Sequence, residues 1–444
     1  MMQTGNPYRA VLRREYPEPL IALLAFILGI WLWDHYFGKP DGYAPGTETV
    51  ALVKMDRDLR LADAMVDDPA WLKFLVGVDS PVVARRDALL ALRSLGEEDS
   101  MTLKGLEAYS VILAVQDQQP IEEAVASSTQ GRVVLNPDQA IGELADHRGT
   151  WWQTKVVDVS PNDASQAAMA TFAADSAVLR SRAIVARSLV WLVGVIGLAF
   201  VPVTLRRMKS GMHGLRGGYG GAWSLRFGLV IFLVATLAWI GFNLALEVGI
   251  GGLPGLHPAL ALALDSAARL MPMLIALGLI FRKPSHVVRV MGLAKKPDLQ
   301  TVLGTFSLLM LLDQGLRQVL APDPASNPGG GLSMTEAGPW GLVFALVASC
   351  LLAPVAEEIL YRGVLFRSVR NRLGVLAGGV ISSLIFALLH FYDGYGLVSV
   401  GIFGLSCALA YAATGTLTTA IALHVLYNFA IKMPEWIVYH APLE

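Results

Sequence analysis

The chain has 444 residues, 54% of them apolar, with a net charge of -1 and a mean hydropathy of +0.51. That is too apolar for an ordinary soluble protein, and the absence of a basic stripe excludes a nucleic-acid partner, leaving the lipid bilayer as the expected partner of much of the surface. Cys350 and Cys407 both lie in apolar segments, so neither a disulfide framework nor a cysteine-based metal site is indicated.

Arg9, Arg13 and Arg14 precede an apolar run from Leu20 to Trp33. The run ends among Trp31, Trp33 and Tyr36 with no small-x-small cleavage site after it, so residues 1–37 read as a cytoplasmic N-terminus and an uncleaved anchor. From 38 to 187 charges of both signs recur. Apolar residues return at helical spacing in Ser80 to Leu95 and Leu103 to Val115, which predicts a soluble, mostly helical insert. Its Ala-rich end, Asn162 to Arg187, should run as a helix into the next span, and Trp151-Trp152 reads as a core or rim pair. No catalytic constellation is found in the insert.

The spans that follow are Ser188 to Leu205, Trp223 to Leu246, Ala259 to Phe281, Thr301 to Leu320, Trp340 to Phe366, Gly374 to Phe391, Leu397 to Ala413 and Leu417 to Ile431. With the anchor this predicts an all-α, polytopic bundle of about nine spans. Residues 188–300 would be accessory helices, 301–432 a core and 433–444 a tail. Arg206, Arg207, Lys209 and Arg216 fall in one short loop; Arg282, Lys283, Arg289, Lys295 and Lys296 in another; Arg367, Arg370 and Arg372 in a third. The intervening loops, Glu247 to Pro258 and Ala321 to Pro339, hold no Lys or Arg. The positive-inside rule therefore places the basic loops and the N-terminus in the cytoplasm and the insert outside it. There the insert is free to bind an extracytoplasmic partner. A bacterial inner membrane is the expected location.

Gly217 to Gly221 and Gly329 to Gly331 read as loop hinges, since neither carries the Lys-Ser/Thr ending of a phosphate loop. Asp265 with Arg269, and Asp313 with Arg317, are i, i+4 pairs in or near spans and read as internal ion pairs.

Ionisable groups concentrate in the last spans. Glu357-Glu358-Ile359-Leu360-Tyr361-Arg362 places Glu358 and Arg362 on one helix face as an expected ion pair. Glu357 lies about 100° round the helix and is left without that partner. His390 closes the run Phe386 to His390, while His424 and Asn428, four apart, share a face. In an antiparallel hairpin turning near residue 373, Glu357 and His390 would meet at one level, about 24 Å from the turn. A carboxylate in a low-dielectric cavity suits a general base that takes a proton from water. Histidine can share that task, and His with Asn can hydrogen-bond the oxyanion of an attacked carbonyl. These chemistries point to a hydrolase. Glu357, His390 and His424 are also of the types that bind a water-activating metal such as zinc, although no His-Glu-x-x-His signature occurs.

Glu-Glu-x-x-x-Arg at 357 to 362, Phe-x-x-x-His at 386 to 390 and His-x-x-x-Asn at 424 to 428, in that order, resemble the CPBP family of intramembrane proteases. That family includes the type II CAAX prenyl endopeptidases and bacteriocin-processing or immunity-associated proteins. The resemblance covers roughly Thr301 to Lys432. It implies that Glu357 with His390 activates the water, that His424 and Asn428 stabilise the oxyanion, and that Glu358 and Arg362 support the site. It also implies a peptide or membrane-protein substrate, prenylated and CAAX-like in part of the family. The family has been described both as metal-dependent and as a metal-free glutamate protease; the spacing favours the second, which needs no cofactor. The anchor and insert lie outside the recognised core. Other readings are a non-catalytic scaffold or immunity protein of the same family, a proton-coupled transporter, and a serine protease built on Ser406.

Overall fold

The computed structural model describes residues 18–37, 47–97, 101–121, 137–147, 149–158, 163–212, 223–250, 256, 258–281, 283–326 and 338–440. Every regular element among them is helical. The basic residues Arg9, Arg13, Arg14, Arg216 and Arg282 and both glycine-rich hinges lie outside the described residues, as do the side chains of Trp33 and Tyr36.

The chain divides into two compact units. The first gathers the anchor helix, residues 192–322 and the segment ending at Lys432; the second gathers 40–191 with shorter pieces that begin at Asp323 and Met433.

Among the described residues six helices are long and apolar enough to cross a membrane, five of them in the first unit and one, Asp163–Leu198, beginning in the second, and two shorter apolar helices, Glu18–Leu32 and Val375–Leu388, accompany them. The last expected span forms the helix Leu417–Glu435, which is not among those six. Large apolar side chains such as Phe227, Leu237, Leu274, Leu311 and Leu384 point outward from these helices. Such surface suits hydrocarbon, where a helix satisfies its own backbone groups.

Two expected spans differ in form. The helix Asp163–Leu198 stops, and a separate helix, Val201–Met212, begins after two intervening residues. Pro202 explains the break, because its ring would clash with the carbonyl of Leu198 in a continuous helix but is tolerated in a first turn. The segment expected as one helix from Trp340 to Phe366 alternates instead: α over Gly338–Val347, π over Ala348–Leu352, α over Ala353–Glu357, π over Glu358–Phe366 and α over Arg367–Leu373. Pro354 has no N–H to give the carbonyl of Cys350 and its ring crowds that carbonyl, so the ladder widens just before it.

Around this segment pack Pro258–Ile280, Leu225–Ile250, Val375–Leu388 and Gly394–Thr414. Asp298 caps Leu299–Val319 by accepting from the Thr301 N–H at 3.3 Å and also pairs with Arg207 at 2.6 Å. Gly292 ends Pro284–Met291 in the left-handed region at φ 75°, and a Cβ there would stand 2.9 Å from the Gly415 carbonyl. Glycine therefore lets the chain reach Leu417–Glu435, which it meets through Thr416 to the Gly292 carbonyl at 2.7 Å and Thr418 to the Lys295 carbonyl at 2.8 Å.

The second unit has its own core of Met55, Leu59, Leu92, Leu95, Ile112, Leu144 and Trp151. Trp151 and Trp152 are both buried in it. Asp56 accepts from the Trp151 N–H at 2.6 Å, a carboxylate at a helix start. Val438 packs with Leu61, Met65, Leu179 and Ala183, and the Tyr439 hydroxyl donates to Asp58 at 2.5 Å, so the stretch after Met433 joins this unit. Burial and the neighbouring Asp58 carboxylate push the Tyr439 phenol well above its usual range.

Candidate active site

Glu357 ends the α-turn Ala353–Glu357 and Glu358 opens the π-segment. Glu358 and Arg362 have no exposed side-chain surface, and Arg362 Nη1 donates to Glu358 Oε1 at 2.9 Å, the ion pair expected from their spacing. Arg362 Nη2 donates to the Gly404 carbonyl at 3.0 Å, and the guanidinium lies 4.5 Å from the Phe386 ring centre. A Cβ at residue 404 would stand 2.9 Å from Nη2, so glycine is what lets the arginine reach that carbonyl.

His424 projects from Leu417–Glu435 between the two carboxylates. Its Nδ1 stands 2.9 Å from Glu358 Oε1 and its Nε2 stands 3.6 Å from Glu357 Oε2. A carboxylate only accepts, so Nδ1 carries the proton in that contact. Arg362, Glu358 and His424 thus form a buried chain that aims Nε2 at Glu357. Phe403 meets the imidazole with ring centres 4.7 Å apart and stacks on Tyr427 at 4.6 Å, fixing the ring from its other side.

Glu357 is the open member of the group, with 27% of its side chain exposed. No hydrogen bond to it is found among the described residues. The gap of 3.6 Å to His424 Nε2 is longer than a direct hydrogen bond and leaves its carboxylate available to a water molecule. Arg269, held by Asp265 at 2.7 Å, lies within electrostatic reach of Glu357.

Asn428, one turn after His424, donates from Nδ2 to the Ser349 carbonyl at 2.8 Å. Ser349 belongs to the π-turn Ala348–Leu352, so the irregular backbone before Pro354 supplies the acceptor that positions the asparagine.

His390 stands differently from the expectation. Its helix ends at Leu388, and His390 lies in the following turn, where Phe391 has φ 52°. His390 Nδ1 donates to the Phe386 carbonyl at 2.6 Å, a histidine satisfying one of the last carbonyls of a helix. Its ring meets Phe386 edge-on at 4.5 Å, and Phe386 also faces His424 at 6.1 Å. No hydrogen bond or ion pair joins His390 to Glu357. The imidazole that meets Glu357 is that of His424, and Phe386 lies against both rings.

Among the described residues no group of three or more His, Cys, Asp or Glu side chains has the arrangement of a metal centre. Of the candidate ligands, Glu357 and His424 face each other, while the Nδ1 of His390 is taken by a carbonyl.

Asp265–Arg269 and Asp313–Arg317 are ion pairs at 2.7 and 3.0 Å. Asp313 also accepts from Tyr395 at 2.6 Å and Ser399 at 3.1 Å, a closed polar cluster. Ser406 bonds back to the Ile402 carbonyl at 2.9 Å, the local contact of a helical serine, and has no imidazole as hydrogen-bond partner.

Residues 339–430 match the family profile described as "Type II CAAX prenyl endopeptidase Rce1-like". Over 83 residues the chain is 29% identical to a Bacillus subtilis (strain 168) protein named "Putative membrane peptidase YdiL". The aligned part is 19% of this chain and 34% of that relative. No solved structure matches.

Proposed function

We propose that this chain, an integral membrane protein whose residues 339–430 belong to the Rce1-like CAAX prenyl endopeptidase family, hydrolyses a peptide bond in a membrane-associated substrate. The observation that carries the reading is the buried Arg362–Glu358–His424 chain aimed at a single open carboxylate, Glu357. Glu357 takes a proton from water as the water oxygen attacks the scissile carbonyl carbon. The second N–H of Asn428 donates to the oxyanion, and His424, whose Nδ1–H stays on Glu358, adds an Nε2–H donor in its imidazolium form. Collapse breaks the C–N bond, and the proton held by Glu357 passes to the leaving amine. His390, beyond Phe386, shares the water with Glu357 once substrate has closed the site; a prenylated CAAX-like terminus is one substrate class that the family suggests. Catalytic hydrogen bonds are often long or unmade before substrate binds, so the free geometry is compatible with that role.

The basic loops support a cytoplasmic N-terminus and an extracytoplasmic insert, 38–187. The joining of the pieces after Asp323 and Met433 to that unit supports this orientation, because the same charge rule puts all three on one side.

The test is cleavage of a panel of membrane peptides, one of them prenylated, by purified protein in vesicles. Wild-type cutting that is lost in Glu357→Gln supports the reading. Equal cutting by that variant overturns the site, and a chelator arm reports whether a metal contributes.

A further inference from the structure

The second unit carries an aromatic surface that catalysis does not use. The short helix Ala70–Val76 turns Leu72, Leu75 and Val76 against the cluster of Leu61, Met65, Leu179 and Ala183. Trp71 and Phe74, three apart and so on one face, point the other way with 65% and 52% of their surface exposed. A helix of two turns is not stable alone. This one is held by Trp191, whose Nε1 donates to the Leu75 carbonyl at 2.9 Å and whose ring lies 5.9 Å from that of Phe74.

Arg180, Asp68 and Lys73 nearby all have partners. Arg180 Nε and Nη2 bind the two oxygens of Asp68 at 2.7 and 2.6 Å, and Lys73 Nζ donates to the Val66 carbonyl at 2.7 Å. Trp71 and Phe74 carry the large exposed apolar surface of this helix. On the helix Asp163–Leu198, one of the candidate membrane spans, Trp191 shares its face with the exposed Val195 and Leu198, four and seven residues on.

We propose that Trp71, Phe74 and Trp191 form an interfacial anchor that seats the helix Ala70–Val76 on the phospholipid bilayer. Continuity decides the occupant: the apolar strip of a spanning helix is lipid-facing, and the aromatic patch begins where that strip starts. Aromatic rings with an apolar body and, in Trp, an N–H suit the headgroup level, and a short helix with one apolar face lies in the interface plane. The anchor sets the depth of the insert. It is independent of the proteolytic reading.

The test uses the full chain in phosphatidylcholine vesicles with a nitroxide at Trp71→Cys or, separately, Phe74→Cys. Cys350 and Cys407 are buried, so the label goes to the introduced thiol. Arg86→Cys, on an exposed arginine of the same unit, is the aqueous control. Collision with oxygen and with a water-soluble relaxant is read by electron paramagnetic resonance. Labels at 71 and 74 that meet oxygen and are shielded several-fold from the aqueous relaxant, relative to 86, support the anchor. Labels as open to the aqueous relaxant as at 86 overturn it, and so do labels shielded from both, which would mark a protein partner instead of lipid.

Discussion

The Nδ1 of His424 stands 2.9 Å from Glu358 Oε1, the same oxygen that receives Arg362 Nη1 at 2.9 Å. One carboxylate oxygen therefore serves both a guanidinium and an imidazole, with all three side chains buried or nearly so. Glu358 fixes which nitrogen of His424 is protonated and leaves Nε2 to face Glu357, so the two adjacent glutamates have separate work. Glu358 is enclosed and paired with Arg362 and His424, whereas Glu357 is open, the division that the proposed mechanism requires.

Replacing Glu357 by Gln should therefore leave the fold intact and remove cleavage. The side chain is partly open and no hydrogen bond depends on it, so thermal unfolding in detergent should match wild type. Loss of the general base should lower kcat by about 10²- to 10⁴-fold. A variant that retains wild-type kcat would show that the base lies elsewhere.

Glu358→Gln and Arg362→Met should each fail differently, by destabilising the core as well as the site. Removing one partner of a buried pair leaves an uncompensated charge, which typically costs about 3–5 kcal/mol. Both variants should unfold at lower temperature than Glu357→Gln. The double change Glu358→Gln with Arg362→Met should be less damaging than the sum of the singles, because neither charge is then stranded. Additive losses in a thermal-denaturation cycle would argue that the two residues act independently.

Gly404→Ala tests the same chain from the backbone side. The new methyl would stand 2.9 Å from Arg362 Nη2 and meet Ser383 at 3.2 Å, in a helix otherwise favourable to alanine. Arg362 must then release the Gly404 carbonyl. Activity should fall despite the gain in helix propensity, and retained full activity would mean that this contact does not position Glu358.

Much of the architecture and the Glu358–Arg362 pair was legible because both rest on periodicity: apolar runs of spanning length, and charged residues four apart. What the sequence left hidden depends on breaks in that periodicity. Pro354 widens the helix into a π-turn and frees Ser349 to hold Asn428, while Pro202 divides a span that hydropathy alone makes continuous. The hairpin estimate set Glu357 and His390 level by counting rise per residue. The helix of His390 ends at Leu388, two residues before it, so a count of helical rise runs past the end of the helix it assumes. The C-terminal stretch was legible as a tail but not as part of the second core, because Val438 and Tyr439 find their partners far away in sequence. Trp151-Trp152 follows the plainer expectation and is buried, whereas the seven-residue helix of Trp71 and Phe74 is too short to show a pattern in the sequence.

His390→Ala and His424→Ala should separate the two imidazoles. His424 links both glutamates, so its loss should lower kcat and also the unfolding temperature, since Glu358 loses a buried partner. His390 contacts a helix-end carbonyl and the Phe386 ring, so its loss should leave stability nearly unchanged and reduce kcat alone. Removal of an oxyanion donor costs about 10²- to 10³-fold in kcat. Measured kcat and thermal midpoints for the two variants, each with and without chelator, decide the assignment. A large stability loss in His390→Ala with none in His424→Ala would reverse it.

The acid limb of stability in the second unit should run through Asp68. The hydrogen-bonded Arg180 guanidinium holds its carboxyl below the usual carboxylate range. A group whose folded pKa is depressed contributes stability that is fully present above its unfolded value, about 3.9, and is lost as pH falls through the folded value. Wild type and Asp68→Asn should therefore differ most at neutral pH, and the difference should shrink as pH drops below about 4. Hydrogen exchange of the segment around residues 66–76 in the full-length protein, followed from pH 7 downward with intrinsic exchange rates corrected, reads this directly. A difference that is flat across the acid range, or that grows as pH falls, would show that the Asp68–Arg180 contact does not couple to folding through ionisation of the carboxylate.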